Sequence, residues 1–303
     1  MVKSILNYSN NYVMEQIIIN RDFSSISPSA KWLLLLKGYT NIPFAREVAE
    51  LLEYPNKYIP DFKKSDYTFW ASTIGLENRY WSIDQLLNDL TIKNILEISS
   101  GYSFRSLDYT QRKEVHYIDT DLPDVIATKK EFINSLKKDE LNSKGKLELL
   151  SLNALDKNNF HEIIGHFPQG EVAIVNEGLL TYLDKQEKSE LCSIIHDILM
   201  EHGGYWITAD IGLKNKDQKL GLKFNDKIIE FNKQHDTEGK SFDSFEEAEM
   251  FFKDMGFVKD KEAKVKFSEM SSFKYLAKSM TLRHLFKLKS AGRIQATWRL
   301  KAV

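Results

Sequence analysis

The chain has 303 residues, 42 Lys and Arg against 43 Asp and Glu, and a formal net charge of −1. Its 42% hydrophobic and 28% charged residues are ordinary for a globular protein with a sizeable core, and the length allows one large domain with an appendage, or two domains. Without a basic excess nothing points to a nucleic-acid partner. The single cysteine, Cys192, excludes an intramolecular disulfide and a multi-cysteine zinc site, which makes a reducing cytoplasm the simplest compartment.

Residues 1–85 read as helical. The first twenty residues lack the charged start, apolar core and small-residue cleavage site of a leader. Ser29–Gly38 reads as a helix stopped by glycine. Its run Trp32–Leu36 is far too short for a bilayer, which takes about 20 residues, so no membrane partner is expected. Pro43 permits a new start, and Phe44–Leu52 has helical spacing. Tyr54–Ser65, with Pro55 and Pro60, reads as a loop, and Ile83–Leu90 as a helix.

After residue 92 strands and helices alternate, the pattern of a mostly parallel sheet covered on both faces. Strands are expected at Ile92–Ile98, Val115–Ile118, Leu147–Leu150, Val172–Val175 and Tyr205–Ala209. Helices fit at Leu122–Lys138, Asn158–Ile164 and Lys185–Glu201, the last carrying Cys192 as a small buried residue. Lys214–Lys240 is polar and reads as a mobile lid or a surface helix. Another helix starts at Ser241–Glu247 and ends near Gly256, and two final strands fit Val258–Phe267 and Ala296–Ala302.

Two segments carry chemistry. In Asn94–Ser103 a buried strand ends in Glu97, two serines and Gly101, a small-residue turn that lets a ligand approach the backbone. About twenty residues on, a second strand ends in Asp119-Thr120-Asp121, where an acid can accept from ribose hydroxyls. Together they suggest a nucleoside-bearing cofactor. The loop lacks two glycines of the dinucleotide fingerprint G-x-G-x-x-G, and Gly101–Arg105 lacks the closing glycine of G-x-S-x-G. The other segment, Val172–Leu183, runs a buried strand into Glu177 and Gly178. A carboxylate so placed needs a partner, either a cationic ligand group or the following helix's N-terminus. The seven histidines have no metal-ligand spacing.

The order Lys37-Gly38-Tyr39, Arg79, Leu96–Tyr102, Ile118-Asp119-Thr120-Asp121-Leu122-Pro123 followed by Lys129 and Lys130, and Asn176–Leu183 resembles the leucine carboxyl methyltransferase family and its bacterial O-methyltransferase relatives. The resemblance spans roughly residues 28–210. It implies an α/β fold: a Rossmann-like class I methyltransferase sheet, mostly parallel with an antiparallel last strand. Residues 1–85 would form a helical cover and residues 86–303 the methyltransferase domain. The implied cofactor is S-adenosyl-L-methionine (SAM). Lys37 and Arg79 would face its methionine carboxylate and Glu177 its amino group. Glu97 and Gly101 belong to the loop beneath it, Asp121 would hold the ribose with Asp119 as the alternative, and Asn153 would face the adenine.

Tyr182 is the candidate catalytic residue, as a wall of the acceptor pocket. The acceptor would be a carboxylate or hydroxyl of a small molecule or peptide C-terminus. Two departures stand out. The loop is leaner in glycine than the family's, and Asn153-Ala154-Leu155 replaces the Asp-Leu-Arg of the phosphatase-methylating members, which weakens the peptide C-terminus as acceptor. A non-catalytic SAM-binding module and a nucleotide-dependent oxidoreductase remain the alternatives, and oligomeric state is open.

Overall fold

The computed structural model describes residues 27–53, 56–136, 143–264 and 266–303. The helical reading of residues 1–26, Tyr54 and Pro55 of the loop, the last residues of the expected Leu122–Lys138 helix and Val265 lie outside the described residues.

Three helices come first: α1 (Ser27–Lys37), α2 (Ala45–Glu53) and α3 (Tyr67–Asn88). The helix expected at Ile83–Leu90 is thus the last part of a 22-residue helix. Asp66 caps its start by accepting from the Phe69 N–H at 3.1 Å. Trp70, Thr73, Leu76, Tyr80, Ile83 and Leu87 are all buried, so α3 is wrapped on most sides and shows no narrow apolar stripe in sequence. Its C-terminal residues Ile83, Leu86 and Leu87 join Ile95, Tyr117 and Ile207 in one face of the sheet's core; the division at residues 85 and 86 therefore falls inside a packed helix.

The alternating part follows as β1 (Asn94–Ile98), α4 (Arg105–Arg112), β2 (His116–Asp121), α5 (Pro123–Leu136), β3 (Lys146–Ser151), α6 (Lys157–Ile164), β4 (Val172–Asn176), α7 (Lys185–His202) and β5 (Gly204–Gly212). The expected strands are all present with shifted ends. Helix α4 went unread, being short and polar on one side. The segment after β5 forms two short surface helices, α8 (Lys216–Leu220) and α9 (Asp226–Gln234), and Leu213 bridges Phe242 at its base. Next come α10 (Phe245–Asp254), β6 (Phe257–Glu262), α11 (Phe273–Ser279), α12 (Leu282–Ala291) and β7 (Gln295–Ala302). The strand expected over Val258–Phe267 stops at Glu262, and Phe267–Glu269 is a short 3₁₀ turn.

The seven strands lie in the order β3-β2-β1-β4-β5-β7-β6. The pairs from β3 to β5 are parallel; β7 runs antiparallel to both β5 and β6. This is a Rossmann-like, mostly parallel sheet whose last strand, β7, inserts antiparallel between β5 and β6, as expected. Leu96 of β1 stands between Ile118 of β2 and Ile174 of β4. The chain leaves β1 in one direction and returns to its other side, so the crevice beyond β1 and β4 is the topological switch point where such sheets bind ligands. One face of the sheet is packed by Trp206, Phe252, Phe257 and Trp298 with α7, where Cys192 is buried. No described helix is long and apolar enough to cross a membrane.

Candidate functional site

The loop leaving β1 is held in a tight curl. Ser99 (φ 50°) and Gly101 (φ 52°) both take the left-handed conformation, which costs a non-glycine residue of order 1 kcal/mol or more. The Ser100 N–H donates to the Thr120 carbonyl at 3.0 Å, and the Gly101 N–H to Asp121 Oδ2 at 2.6 Å. From below, the buried Lys129 donates to Ser100 Oγ at 2.9 Å and pairs with Asp119 Oδ2 at 2.7 Å. The first loop is thus tied to the end of the second strand. Asp119 is fully buried, also accepting from Ser106 Oγ at 2.5 Å, so it has no access to a ligand. Asp121 faces the crevice, and burial, opposed by the Gly101 and Leu122 N–H donors, raises its pKa to about 6.

The exit of β4 carries the second polar wall. Glu177 Oε1 lies 3.0 Å from Lys37 Nζ and 3.4 Å from Arg79 Nη2, while Oε2 is 3.6 Å from Arg105 Nη2. Arg105, fully buried, also donates to the Tyr80 carbonyl at 2.9 Å and to Asp84, with Glu97 Oε1 3.6 Å from its Nε. Burial works against the Arg105 charge, but Asp84 and Glu97 outweigh it and hold the guanidinium protonated. Burial also opposes the Glu177 charge; Lys37 and Arg79 outweigh it and keep the carboxyl below its usual range. For Lys37 burial wins and lowers the pKa, with Glu177 offsetting it in part.

Seven of the eight residues singled out in the sequence, Lys37, Arg79, Gly101, Asp121, Asn153, Glu177 and Tyr182, line one cavity of about 240 Å³. It is bounded by α1, the loops after β1 through β4 and apolar Leu33, Val125 and Leu179. Glu97 is the exception. It is fully buried beneath the cavity, accepting from the Tyr117 hydroxyl at 2.8 Å, so it supports the site through Arg105 instead of contacting a ligand. Burial raises its pKa. Asn153 Oδ1 accepts from the Leu155 N–H at 3.1 Å. The Tyr182 hydroxyl donates to Ser29 Oγ at 3.3 Å, and burial raises its pKa. It is therefore a neutral phenol, a hydrogen-bonding wall and not a base.

Two residues that organise the site went unread in the sequence. Arg105 follows the β1 loop directly, a cation between Phe104 and an otherwise polar helix; its importance emerges only where α3, β1 and β4 converge. Asp210 sits at an irregularity between Thr208 and Ile211 in β5, the kind of bulge that re-aims a side chain. It accepts from Asn176 Nδ2 at 2.6 Å and from the N–H groups of Gly178, Leu179 and Leu180 at 2.6, 2.7 and 3.0 Å. It thereby fixes the turn that presents Glu177. The strand-then-acid pattern of Glu97, Asp121 and Glu177 recurs at Ile207–Asp210 and was the available signal.

No family model matches the chain, and no curated protein matches it. Solved structures to which it is similar include magnesium protoporphyrin IX methyltransferase (ChlM) from Synechocystis PCC 6803 with bound S-adenosylhomocysteine (SAH), at 8% identity and TM-score 0.47 over 85% of this chain and 94% of that one. LepI in complex with SAM is 10% identical, with TM-score 0.44, over 73% of this chain and 46% of its own. An O-methyltransferase family protein from Burkholderia thailandensis is 11% identical, with TM-score 0.43, over 77% and 58%. The chain spans less than half the length of LepI. At such values the likeness says nothing of ligand or substrate; those follow from the cavity's own residues.

Proposed function

We propose that the protein is a SAM-dependent O-methyltransferase, with the helices among residues 1–85 as a cover over the cofactor edge. The observation that carries this reading is the cavity at the switch point, walled on one side by Asp121 and on the other by the Lys37–Glu177–Arg79 cluster. The linked buried charges comprise three cations, Lys37, Arg79 and Arg105, and three carboxylates, Asp84, Glu97 and Glu177. A guest bringing net charge would upset that balance in a desolvated place. A zwitterion, such as the amino-acid end of SAM, does not.

In this reading Glu177 accepts from the ammonium, and Lys37 and Arg79 hold the carboxylate. Asp121 accepts from ribose hydroxyls, Asn153 faces the adenine, and Ser99–Gly101 allow close approach beneath. When bound, SAM would supply an electrophilic methyl group to the acceptor's lone pair. The protein's share is alignment, which contributes on the order of 7–11 kcal/mol, and exclusion of water by α1 and Tyr182. A carboxylate acceptor is already ionised at neutral pH and needs no base; a hydroxyl acceptor would need one that Tyr182 does not provide.

Calorimetric titration with SAM, SAH and NAD tests the reading, followed by transfer of labelled methyl to a panel of small carboxylic acids and alcohols. Binding of SAM and SAH with methyl transfer supports it. NAD binding alone would put an oxidoreductase in its place, and SAM binding with no methylated product across the panel a binding module.

A further inference from the structure

A second cavity, about 40 Å³, abuts the first and shares Arg79 and Thr181 with it. Its charged lining is mostly basic: Arg79, Lys188, Lys216 and Lys240, against a single carboxylate, Asp210. That carboxylate is already engaged by four donors from the β4 exit. Even with Arg79 assigned to Glu177 and Lys240 engaged elsewhere, Lys188 and Lys216 face one occupied acid. Lys188 is buried and donates to the Lys240 carbonyl, and Lys240 Nζ donates to the Tyr182 carbonyl at 2.9 Å. Among the described residues neither Lys188 nor Lys216 has a carboxylate within ion-pair distance. Asp184 and Asp217 lie near enough to favour the lysine charges but do not line the cavity. Burial lowers the pKa of both lysines, that of Lys188 to about 8.

Lys188, buried, and Lys216, half-buried, repel one another beside an acid that is already engaged, a cost that an arriving counter-charge would relieve. The lysines come from three separate segments, α7, α8 and the stretch before α10, so their convergence is a property of the fold and not of one basic run. The cavity lies at the carboxyl end of β5, lined by Asp210 and Gly212, and meets the first cavity at Arg79 and Thr181.

We propose that this basic cavity holds an anionic head group, a carboxylate or phosphate, of the methyl acceptor. The inference rests on the methyltransferase reading. An anion gripped by several ammonium groups has its lone pairs engaged and is a weak nucleophile, so the group is a handle that positions the acceptor while another of its atoms takes the methyl.

The test is calorimetric titration of inorganic phosphate at constant ionic strength into the whole protein, alone and saturated with SAH. Saturable binding is expected in both states. Lys188→Gln and Lys216→Gln should each weaken it about tenfold or more, the usual effect of losing a charge-assisted hydrogen bond, while the exposed-site variant Lys57→Gln should not. Should Lys188→Gln fail to fold, Lys216→Gln carries the test. SAH binding without saturable phosphate binding overturns this inference alone, as does phosphate binding unchanged in both lysine variants. Mutually exclusive binding of phosphate and SAH would assign the basic cavity to the cofactor's own carboxylate and overturn it too. Phosphate binding by a protein that binds no SAM or SAH refutes the cofactor reading, and with it the acceptor assignment.

Discussion

Lys37 Nζ lies 3.0 Å from Glu177 Oε1, so the first described helix is pinned by charge to the exit of the fourth strand. Glu177 is also the nearest carboxylate to Arg79 and to one arm of Arg105. Removing it leaves three cations crowded in a desolvated place. Removing Lys37 leaves Glu177 with two cations still at hand. Glu177→Ala should therefore cost about 3–5 kcal/mol of folding stability, the usual result of orphaning buried charges, and Lys37→Met clearly less. Urea unfolding of both variants checks the order; equal losses would mean that Glu177 is not the hub of the cluster.

The same pin bears on the cover. Lys37 and Arg79 reach Glu177 through the protein's own charges, so SAM should add to the protection of residues 30–53 and 67–80 and not create it. Arg79→Ala should weaken SAM binding and raise hydrogen exchange in that segment with SAM present. If exchange there is the same with and without SAM, cover and cofactor are not coupled.

Ser99 and Gly101 make a pair of predictions of opposite sign. Both have positive φ. Among the described residues a methyl group at Gly101 would meet only Ala30 Cβ, at 3.6 Å, an ordinary contact, so Gly101→Ala should destabilise chiefly through backbone strain, by about 1 kcal/mol. Ser99→Gly relieves the same strain and should stabilise by a few tenths to about 1 kcal/mol, less the extra freedom of glycine in the unfolded chain. Thermal melts decide; a stabilising Gly101→Ala would contradict the loop geometry.

The sheet was legible because buried parallel strands are unbroken apolar runs, and Leu96, Ile118 and Ile174 sit where such runs predict. The acids closing those runs were legible for the same reason: Asp119 and Asp121 follow Ile118, and Glu177 follows Val175 and Asn176. What escaped was what depends on convergence. Arg105 gains its meaning from Asp84, Glu97 and Glu177, which come from three elements. Glu97 has the same strand-end signature as Glu177 but lies under the cavity, because its side chain turns toward Tyr117. The length of α3 was hidden by burial on most of its faces. The helices after Glu262 went unread although Leu282, Leu285 and Phe286 of α12 have helical spacing; those side chains stay exposed.

Asp210 should prove as important as the ligand-facing residues. Its carboxylate satisfies three consecutive backbone N–H groups of the turn after β4. Asp210→Ala would orphan them and should cost about 2–4 kcal/mol, given roughly 1–3 kcal/mol for a buried unsatisfied group with partial rescue by water. Asp210→Asn, which still accepts, should cost less. If SAM binding survives Asp210→Ala at full affinity in the folded fraction, the turn holds Glu177 without it.

Asp121 gives two pH trends of opposite direction from one group. Its folded-state pKa is raised from 3.8 to about 6, chiefly by burial. The native state therefore holds the proton more tightly than the unfolded chain. Its contribution to stability is fully present below about pH 4 and is lost as pH rises through about 6. Ligand binding should run the other way, since only the carboxylate can accept from two ribose hydroxyls. SAM affinity should fall about tenfold for each pH unit below about 6, where protonation competes with the ligand. Asp121→Asn should flatten that slope and weaken binding by about 1–3 kcal/mol, the range for hydrogen bonds to a charged group. Asp119→Ala, acting only through Lys129 and the loop, should weaken it less. Calorimetric titration of SAM from pH 5 to pH 8 on the wild type and both variants measures all of this. An unchanged slope in Asp121→Asn would show that another group carries the pH dependence, and a larger loss at Asp119 would move the ribose contact away from Asp121.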